Sequence, residues 1–243
     1  VGTNLKYYID KGGSFNDITP LRSTTSAGDV TFSATNGSAV ITATDASHGA
    51  VVNDFVTFSG AATLGGLITA TVLNKEYQIT EIVNDNSYKF TASATANSSD
   101  TGNGGSSTVG RYQINTGLDS SVAGSGWGAG TWGRGTWGSS SSLLAAGSTL
   151  RLWSHDNFGE DLIINPRDGG IYYWDKSTSS GSPFSRSVAL TSLAGADSKT
   201  PTVAKVVLVS DVDRHVVVFG CDPEDAIGTQ DPLLIRFGDQ ESL

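Results

Sequence analysis

The sequence predicts an all-β protein: a partial β-propeller of blade-like antiparallel sheets with an inserted small β-barrel or sandwich domain. Three observations favour this fold class. The chain contains no sustained apolar period of the kind that marks an amphipathic helix. Short strand-like runs alternate with turns rich in Gly, Asn and Asp. Towards the C-terminus, units of three such runs recur at a spacing of about 54 residues, which is typical of propeller blades.

Residues 1–23 are predicted to be a strand segment of the propeller. Residues 5–9 form a strand-like run, and the pair Gly12-Gly13 that follows indicates a tight turn. A second extended segment then runs as far as Pro20.

Residues 24–110 are predicted to be the inserted domain. Its first run alternates apolar and polar side chains, with Phe32 and Ala34 on one face. Asn36-Gly37 then gives a strong hairpin signal. Five short strands in a segment of this length predict a small antiparallel barrel or sandwich. The predicted strands are residues 30–35, 39–44, 55–59, 76–83 and 87–92.

The end of this domain has a different composition. Residues 93–108 are mostly Gly, Ser, Asn and Thr, with very little to bury. The composition therefore predicts a flexible exit linker.

Residues 111–243 begin with a ribbon rich in Trp and Gly. Trp127, Trp132 and Trp137 are five residues apart, and each is followed by Gly. Such a ribbon can lay its indole rings flat on an apolar surface while the backbone bends between them. These three tryptophans are therefore predicted to pack against another subunit.

Two similar units follow the ribbon. Residues 162–164 of the first unit align with residues 216–218 of the second. Blades bury their faces only against neighbouring blades, so two units alone would leave apolar faces exposed. The predicted strands are residues 149–154, 160–165 and 170–175, then 205–210, 215–220 and 233–237. The chain also lacks Met, even at position 1, and is interpreted as an internal fragment of a longer protein.

Composition and charge exclude some classes of function. With 15 basic and 24 acidic side chains, the chain has a net charge of −9. Proteins that bind nucleic acid tightly need clustered Lys and Arg, so a nucleic-acid-binding function is disfavoured. The single cysteine, Cys221, ends an apolar run and is predicted to be a small buried hydrophobe.

Several short motifs have a chemical and a structural interpretation. Residues 128–133 and 133–138 match the GxGxxG pattern, but no helix is predicted after them, so no cofactor is expected. Residues 154–156 read Ser-His-Asp, yet neighbours on a strand point to opposite faces, which argues against a catalytic triad. His48 lies in a turn context and is interpreted as structural.

Two acidic groups leave metal binding open. Asp211, Asp213 and His215 would share one face of an extended chain and could hold a metal ion, or they simply form a hairpin connection. The loop that carries Asp222, Glu224 and Asp225 is either a calcium site or a solvated loop.

The chain resembles the tail nozzle proteins of short-tailed bacteriophages, also described as tail tubular protein B-like or DNA-stabilisation proteins. The segments that carry the resemblance are LRLWSHDNFGEDLIINPRDGGIYYWD, the Trp-Gly ribbon, DRHVVVFGCDP, DPLLIRFGDQESL and VGTNLKYYI. HGAVVNDFVTFSG is similar to small β-barrel modules inserted into phage virion proteins. The resemblance implies a homo-oligomeric ring of six subunits in the virion tail. It also implies contacts with tail adaptor and tail fibre proteins, around the channel through which the genome DNA leaves.

The sequence favours two functions, neither of them enzymatic. The first is a virion structural protein whose acidic wall repels phosphate, so that DNA slides through the channel. The second is a receptor- or carbohydrate-binding tail adhesin, with Tyr7, Tyr8 and the ribbon tryptophans stacking on host surface glycans. An enzyme is least favoured, because no pair of carboxylates suited to glycoside hydrolysis stands out.

Overall fold

The computed structural model describes residues 1–117, 150–179 and 183–242, and over these residues the protein is all-β. In that part of the chain the only α-helix is the four-residue α1 (Ala70–Leu73), and no helix there is long and apolar enough to cross a membrane. The chain divides into two compact units. We call Val1–Ile18 with Gly117–Leu243 the stack unit, and Thr19–Thr116 the insert unit.

The stack unit begins with a two-stranded hairpin. Strand β1 (Tyr8–Lys11) pairs with β2 (Ser14–Asp17) across the predicted Gly12-Gly13 turn. Both glycines have positive φ angles, +61° and +87°, which is the conformation that a two-residue hairpin loop requires. The turn is confirmed, although the strand begins at Tyr8 and not at residue 5.

The insert unit consists of eight strands in one sheet. The hydrogen-bonded order is β3-β10-β6-β7-β8-β5-β4-β9, with every pair antiparallel. This order has two ends, so residues 19–116 do not form a closed barrel. The strands are β3 (Leu21–Thr24), β4 (Thr31–Ala34), β5 (Val40–Thr44), β6 (Phe55–Ser59), β7 (Glu76–Asn84), β8 (Ser87–Thr91), β9 (Asp100–Asn103) and β10 (Val109–Gln113).

Local patterns in the insert unit are confirmed. Phe32 and Ala34 of β4 are buried, while Thr31 and Ser33, which alternate with them, are only half-buried. Asn36-Gly37 turns β4 into β5, with Gly37 at φ +81°. The core of the unit gathers the inward side chains of β4–β8 and β10, among them Phe32, Phe58, Phe90, Tyr88 and Tyr112.

The predicted exit linker is wrong. Residues 93–108 contain β9, which pairs with β4 at the end of the sheet. Thr108 is fully buried and its hydroxyl donates to the Gly104 carbonyl. The composition was misleading because this segment contributes backbone hydrogen bonds and small buried side chains instead of large apolar ones. The unit also starts before residue 24, since β3 pairs with β10.

The first sheet of the stack unit has four strands in sequence order. They are β11 (Trp153–Phe158), β12 (Asp161–Pro166), β13 (Tyr172–Trp174) and β14 (Val188–Ala189). The sequence predicted strand β11 at residues 149–154, which is wrong by about four residues. Asn157 and Phe158 pair with β12, and the turn is the pair Gly159-Glu160, where Gly159 has φ +68°.

The second sheet of the stack unit has three strands, β15 (Val206–Val209), β16 (Val216–Phe219) and β17 (Ile235–Phe237). Each lies within the range that the sequence predicted. The strands β12 and β16, about 54 residues apart, are the aligned second strands of their sheets. In the described part of the stack unit, the four-stranded sheet is followed by the three-stranded sheet, and they form no closed propeller ring.

Candidate interaction surfaces

The first sheet of the stack unit is covered on both faces. Ile164 of β12 packs in a cluster with Tyr7, Ile18 and Trp174. Its neighbour Ile163 points the opposite way and packs against the second sheet. The first sheet is therefore the middle layer between the N-terminal segment and the second sheet.

The second sheet has the same orientation as the first. Val218 aligns with Ile164 and faces back towards the preceding layer, in one cluster with Ile163. Val217 aligns with Ile163 and points away from that cluster. We call the side marked by Ile163 and Val217 the leading face of each sheet, and the side marked by Ile164 and Val218 its trailing face. The two sheets stack with one direction.

Polar side chains join the two sheets at an edge. The Val207 amide of the edge strand β15 donates to Ser154 Oγ at 3.0 Å, and the Val209 amide donates to Asp156 Oδ2 at 2.8 Å. An edge strand has backbone groups without a strand partner, so these side chains supply the missing acceptors.

The Ser-His-Asp triplet is thus a structural junction. Ser154 and Asp156 face the second sheet, whereas His155 lies on the other face, its ring edge against Tyr7 at 5.9 Å between centroids. The expectation that the three residues do not converge as a triad is confirmed.

The leading face of the second sheet is apolar at every position. Cross-strand partners share a face, and here they form two rows of three side chains. Phe237 is 74% exposed and Ile235 is 57% exposed. The rows are Val206, Phe219, Ile235 and Leu208, Val217, Phe237. The sequence located these strands but did not indicate which face would stay uncovered.

Tyr7 is not available for stacking on a sugar. It is only 2% exposed, and its ring lies 4.9 Å from that of Trp153. Burial raises the pKa of Tyr7 to about 12. The expectation that this ring is exposed is therefore wrong. Tyr8 is half-buried, with its ring edge against Phe15. Trp127, Trp132 and Trp137, and both GxGxxG segments, lie outside the described residues.

Asp222 anchors the loop in which calcium binding was left open. Its buried carboxylate accepts hydrogen bonds from the backbone and hydroxyl of Thr202 and from the Gly228 amide. Burial alone would raise the pKa of Asp222, but these hydrogen bonds outweigh it and hold the pKa below the usual carboxyl value. Glu224 pairs instead with Lys199, at 2.8 Å.

Asp211, Asp213 and His215 are the other group for which metal binding was left open. They lie in the connection between β15 and β16. His215 Nδ1 hydrogen-bonds to the Gly238 carbonyl oxygen at 2.9 Å, and Asp213 accepts from Gln240. Across the described ranges, no group of three or more His, Cys, Asp or Glu side chains is arranged to hold a metal ion. Cys221 is fully buried, as predicted, and burial raises the pKa of its thiol.

The insert unit holds a buried polar network that the sequence did not suggest. The Tyr112 hydroxyl donates to Asp45 at 2.5 Å and lies 2.8 Å from the Tyr88 hydroxyl. Burial raises the pKa of Tyr112, and Tyr88 and Asp45 raise it further. His48 nearby accepts from the Ala50 amide and packs edge-on against Tyr88, which is a structural role.

An open groove runs along the stack unit between the N-terminal hairpin and the first sheet. It encloses about 840 Å³, and aromatic side chains line it together with acidic and basic ones. Trp174 and Phe184 stack there at 5.8 Å with an interplanar angle of 26°. Asp161, within the groove, accepts from the Tyr173 hydroxyl and the Lys176 amide. An aromatic wall with a polar rim is suited to binding a sugar.

Comparison with known proteins does not identify a family for this chain. No known protein family matches the chain, and no curated protein matches it. Among solved structures, the phage phi92 endosialidase is similar to it at 15% sequence identity with a TM-score of 0.29. That match covers 84% of this chain and 28% of the endosialidase chain. At such a TM-score the similarity carries no argument about fold or function.

Proposed function

We propose that this chain is a non-enzymatic structural protein of a phage virion, part of a tail nozzle that lines the DNA ejection channel. The observation that carries the proposal is the directed stack of the two sheets. Each sheet turns its trailing face to the layer before it, and the leading face of the first sheet packs against the second sheet, in step with the 54-residue repeat. Stacking of this kind is how propeller blades build a wall.

The charge of the chain suits a channel. With a net charge of −9, a wall of such subunits repels the phosphates of DNA. A basic wall would instead bind the DNA through counterion release and slow its exit. In this proposal, contact with the genome is transient and repulsive.

The proposed partners follow from the resemblance to nozzle proteins. They are further copies of the chain in a ring of six, a tail adaptor and tail fibre proteins, with Trp127, Trp132 and Trp137 at subunit contacts. The test is to locate the chain in phage particles that encode it, by mass spectrometry of purified virions and immunogold labelling. Labelling at the tail tip is expected, and absence of the chain from virions would overturn the proposal.

The ribbon tryptophans provide a second test. Trp132→Ala is expected to abolish assembly of the purified chain, because the proposed subunit contact would lose most of the area that this indole contributes. Sedimentation of the variant beside wild type measures the effect. Oligomers identical to those of wild type would remove these tryptophans from the proposed subunit contact.

The groove supports a second candidate function, a carbohydrate-binding tail adhesin. Its half-buried Phe184 stacks on the buried Trp174 and lies beside charged groups, and sugar-binding sites combine an accessible ring with polar groups in this way. A glycan array probed with the chain and with Phe184→Ala tests this function. Binding by wild type that the variant loses would support an adhesin, and no binding to any glycan would exclude it.

A further inference from the structure

We propose that the leading face of the second sheet binds the N-terminal hairpin of a second copy of this chain, head to tail. The inference rests on the proposed function in one respect, that the chain is a self-associating structural protein. It adds the two surfaces that meet.

The leading face of the second sheet needs a cover. Its six side chains are all apolar, and the most exposed of them, Phe237, has 74% of its surface accessible. The corresponding face of the first sheet, marked by Ile163, is covered by the second sheet at its trailing side. Packed sheets of this kind bury such faces against each other at a separation of about 10 Å. Within one chain, therefore, the leading face of the first sheet contacts the trailing face of the second sheet.

The direction of the stack selects the surface that a second copy would offer. Layers follow one another from hairpin to first sheet to second sheet, and each sheet turns its trailing face to the layer before it. The trailing side of the whole stack is the outward face of the β1–β2 hairpin. A second copy that continues the stack therefore presents its hairpin.

The outward face of the hairpin carries an aromatic pair beside two carboxylates. Tyr8 and Phe15 lie on the same side as their partners Asp17 and Asp10, opposite the inward pair Ile9 and Asn16. Asp17 is already paired with Lys6 and Arg186. The two rings meet edge to face at 6.3 Å, and Phe15 is 65% exposed. This aromatic pair gives the six apolar side chains of the leading face a surface to pack against.

The size of the contact favours a repeating head-to-tail arrangement over a simple two-fold dimer. Three short strands present a footprint of about 200 Å², well below the ~800 Å² per partner of a standard interface. A single contact is therefore weak, and it gains strength when each copy uses both of its surfaces and the chain of copies closes. A two-fold contact between leading faces would stop after one contact and leave Phe15 uncovered.

The experiment is a mixing test by analytical ultracentrifugation of the full chain. Phe237→Asp removes the leading face, and Phe15→Asp removes the hairpin face. Wild type is expected to show a weight-average mass that rises above the 25.2 kDa monomer as concentration increases from about 1 to about 100 µM. Each variant alone is expected to remain monomeric. Their equimolar mixture is expected to form a one-to-one dimer and nothing larger, because one intact surface of each kind remains. This dimer should form only towards the highest concentration, since a single contact is weak.

Controls separate this result from misfolding. Val83→Asp changes an apolar residue of the insert unit that is 47% exposed, and it is expected to associate as wild type does. Circular dichroism checks that each variant is folded, and Ile235→Thr provides a milder change on the leading face if Phe237→Asp is not. Ile235→Thr is expected to weaken association and to leave the circular dichroism spectrum unchanged.

Three outcomes would overturn the inference. They are a wild-type chain that is monomeric at every concentration, a Phe15→Asp variant that associates like wild type, and an equimolar mixture that stays monomeric. The test is independent of the location of the chain in phage particles. If the chain is monomeric but labels the tail tip, this contact is overturned and the proposed function stands. If the chain forms a head-to-tail oligomer but is absent from virions, the contact stands and the proposed function is overturned.

Discussion

The insert unit and the stack unit solve the burial of apolar side chains in different ways. The insert unit gathers its large aromatic side chains into one cluster enclosed by its own eight strands. The stack unit divides its apolar side chains between two clusters, one on each face of the first sheet, and leaves the leading face of the second sheet exposed. A single rolled sheet can cover its own core, whereas a sheet in a stack depends on its neighbours. The two designs predict different responses to similar substitutions.

The largest expected difference is between two phenylalanines. Phe90 is fully buried in the insert unit, and Phe237 is 74% exposed on the leading face. Phe90→Ala is expected to lower the free energy of unfolding of the insert unit by about 3–5 kcal/mol, because the deletion leaves a cavity. Phe237→Ala is expected to change the stability of the monomer by less than about 0.5 kcal/mol. Urea unfolding of both variants measures the contrast, and similar costs would mean that the leading face is not a free surface.

The next effect concerns Asp222, which ties together loops of the stack unit. Asp222→Asn is expected to cost about 1–3 kcal/mol, since an amide cannot accept all the hydrogen bonds that the buried carboxylate receives from Thr202 and Gly228. The folded-state pKa of Asp222 lies below its unfolded value, so its ionised form stabilises the fold at neutral pH. That stabilisation is lost as the pH falls below the ordinary carboxyl range.

The pH dependence provides the control for Asp222. Thermal unfolding from pH 7 down to about pH 3 should show a shallower acid loss in Asp222→Asn than in wild type. Asp225→Asn removes the same charge from an exposed position in the same loop and should follow the wild-type curve. Identical pH profiles for wild type and Asp222→Asn would contradict the assigned role.

A smaller effect distinguishes the two faces of β16. Val218 is buried on the trailing face, and Val217 beside it is half-buried on the leading face. Val218→Thr is expected to cost about 1–2 kcal/mol, because its hydroxyl enters an apolar cluster without a partner. Val217→Thr is expected to stay within about 0.5 kcal/mol of wild type. Equal costs in chemical unfolding would show that the sheet is covered on both sides.

The smallest effect tests the junction between the sheets. Ser154→Ala is expected to cost about 1 kcal/mol, because the Val207 amide loses its acceptor at the edge of the second sheet. Hydrogen exchange should locate the change, with faster exchange at Val207 and unchanged exchange at Val218 within the sheet. Unaltered exchange at Val207 would mean that Ser154 does not hold the edge strand.

Local features were the most predictable from sequence. The hairpins at Gly12-Gly13 and Asn36-Gly37 depend on positive φ angles at Gly12, Gly13 and Gly37, which glycine adopts without strain. The alternation from Thr31 to Ala34 identified a half-buried strand, because side chains on a strand alternate between faces. Errors arose where a residue type has two uses. The small residues of 93–108 suggested a flexible linker, but the segment contains β9 and buries Thr108.

The candidate surfaces were less predictable, for a physical reason. Ser154 and Asp156 contact backbone amides more than fifty residues away, and no local pattern marks a side chain as an acceptor for a distant edge strand. Tyr7 and Phe15 are both aromatic residues of the N-terminal segment, yet one is buried against Trp153 and the other is exposed. Their difference depends on which layer lies opposite each face.

The amino-acid sequence alone determined the all-β class, the positions of the tight turns, the strand segments of the second sheet and the repeat that relates the two sheets. These features are properties of neighbouring residues: the φ preference of glycine, the two-residue alternation of strands and the spacing of apolar runs. Only the tertiary structure decided which face of each sheet is covered, how an edge strand finds its acceptors, and where the stack leaves apolar side chains exposed. Burial depends on what packs against a surface, and that partner comes from a distant part of the chain.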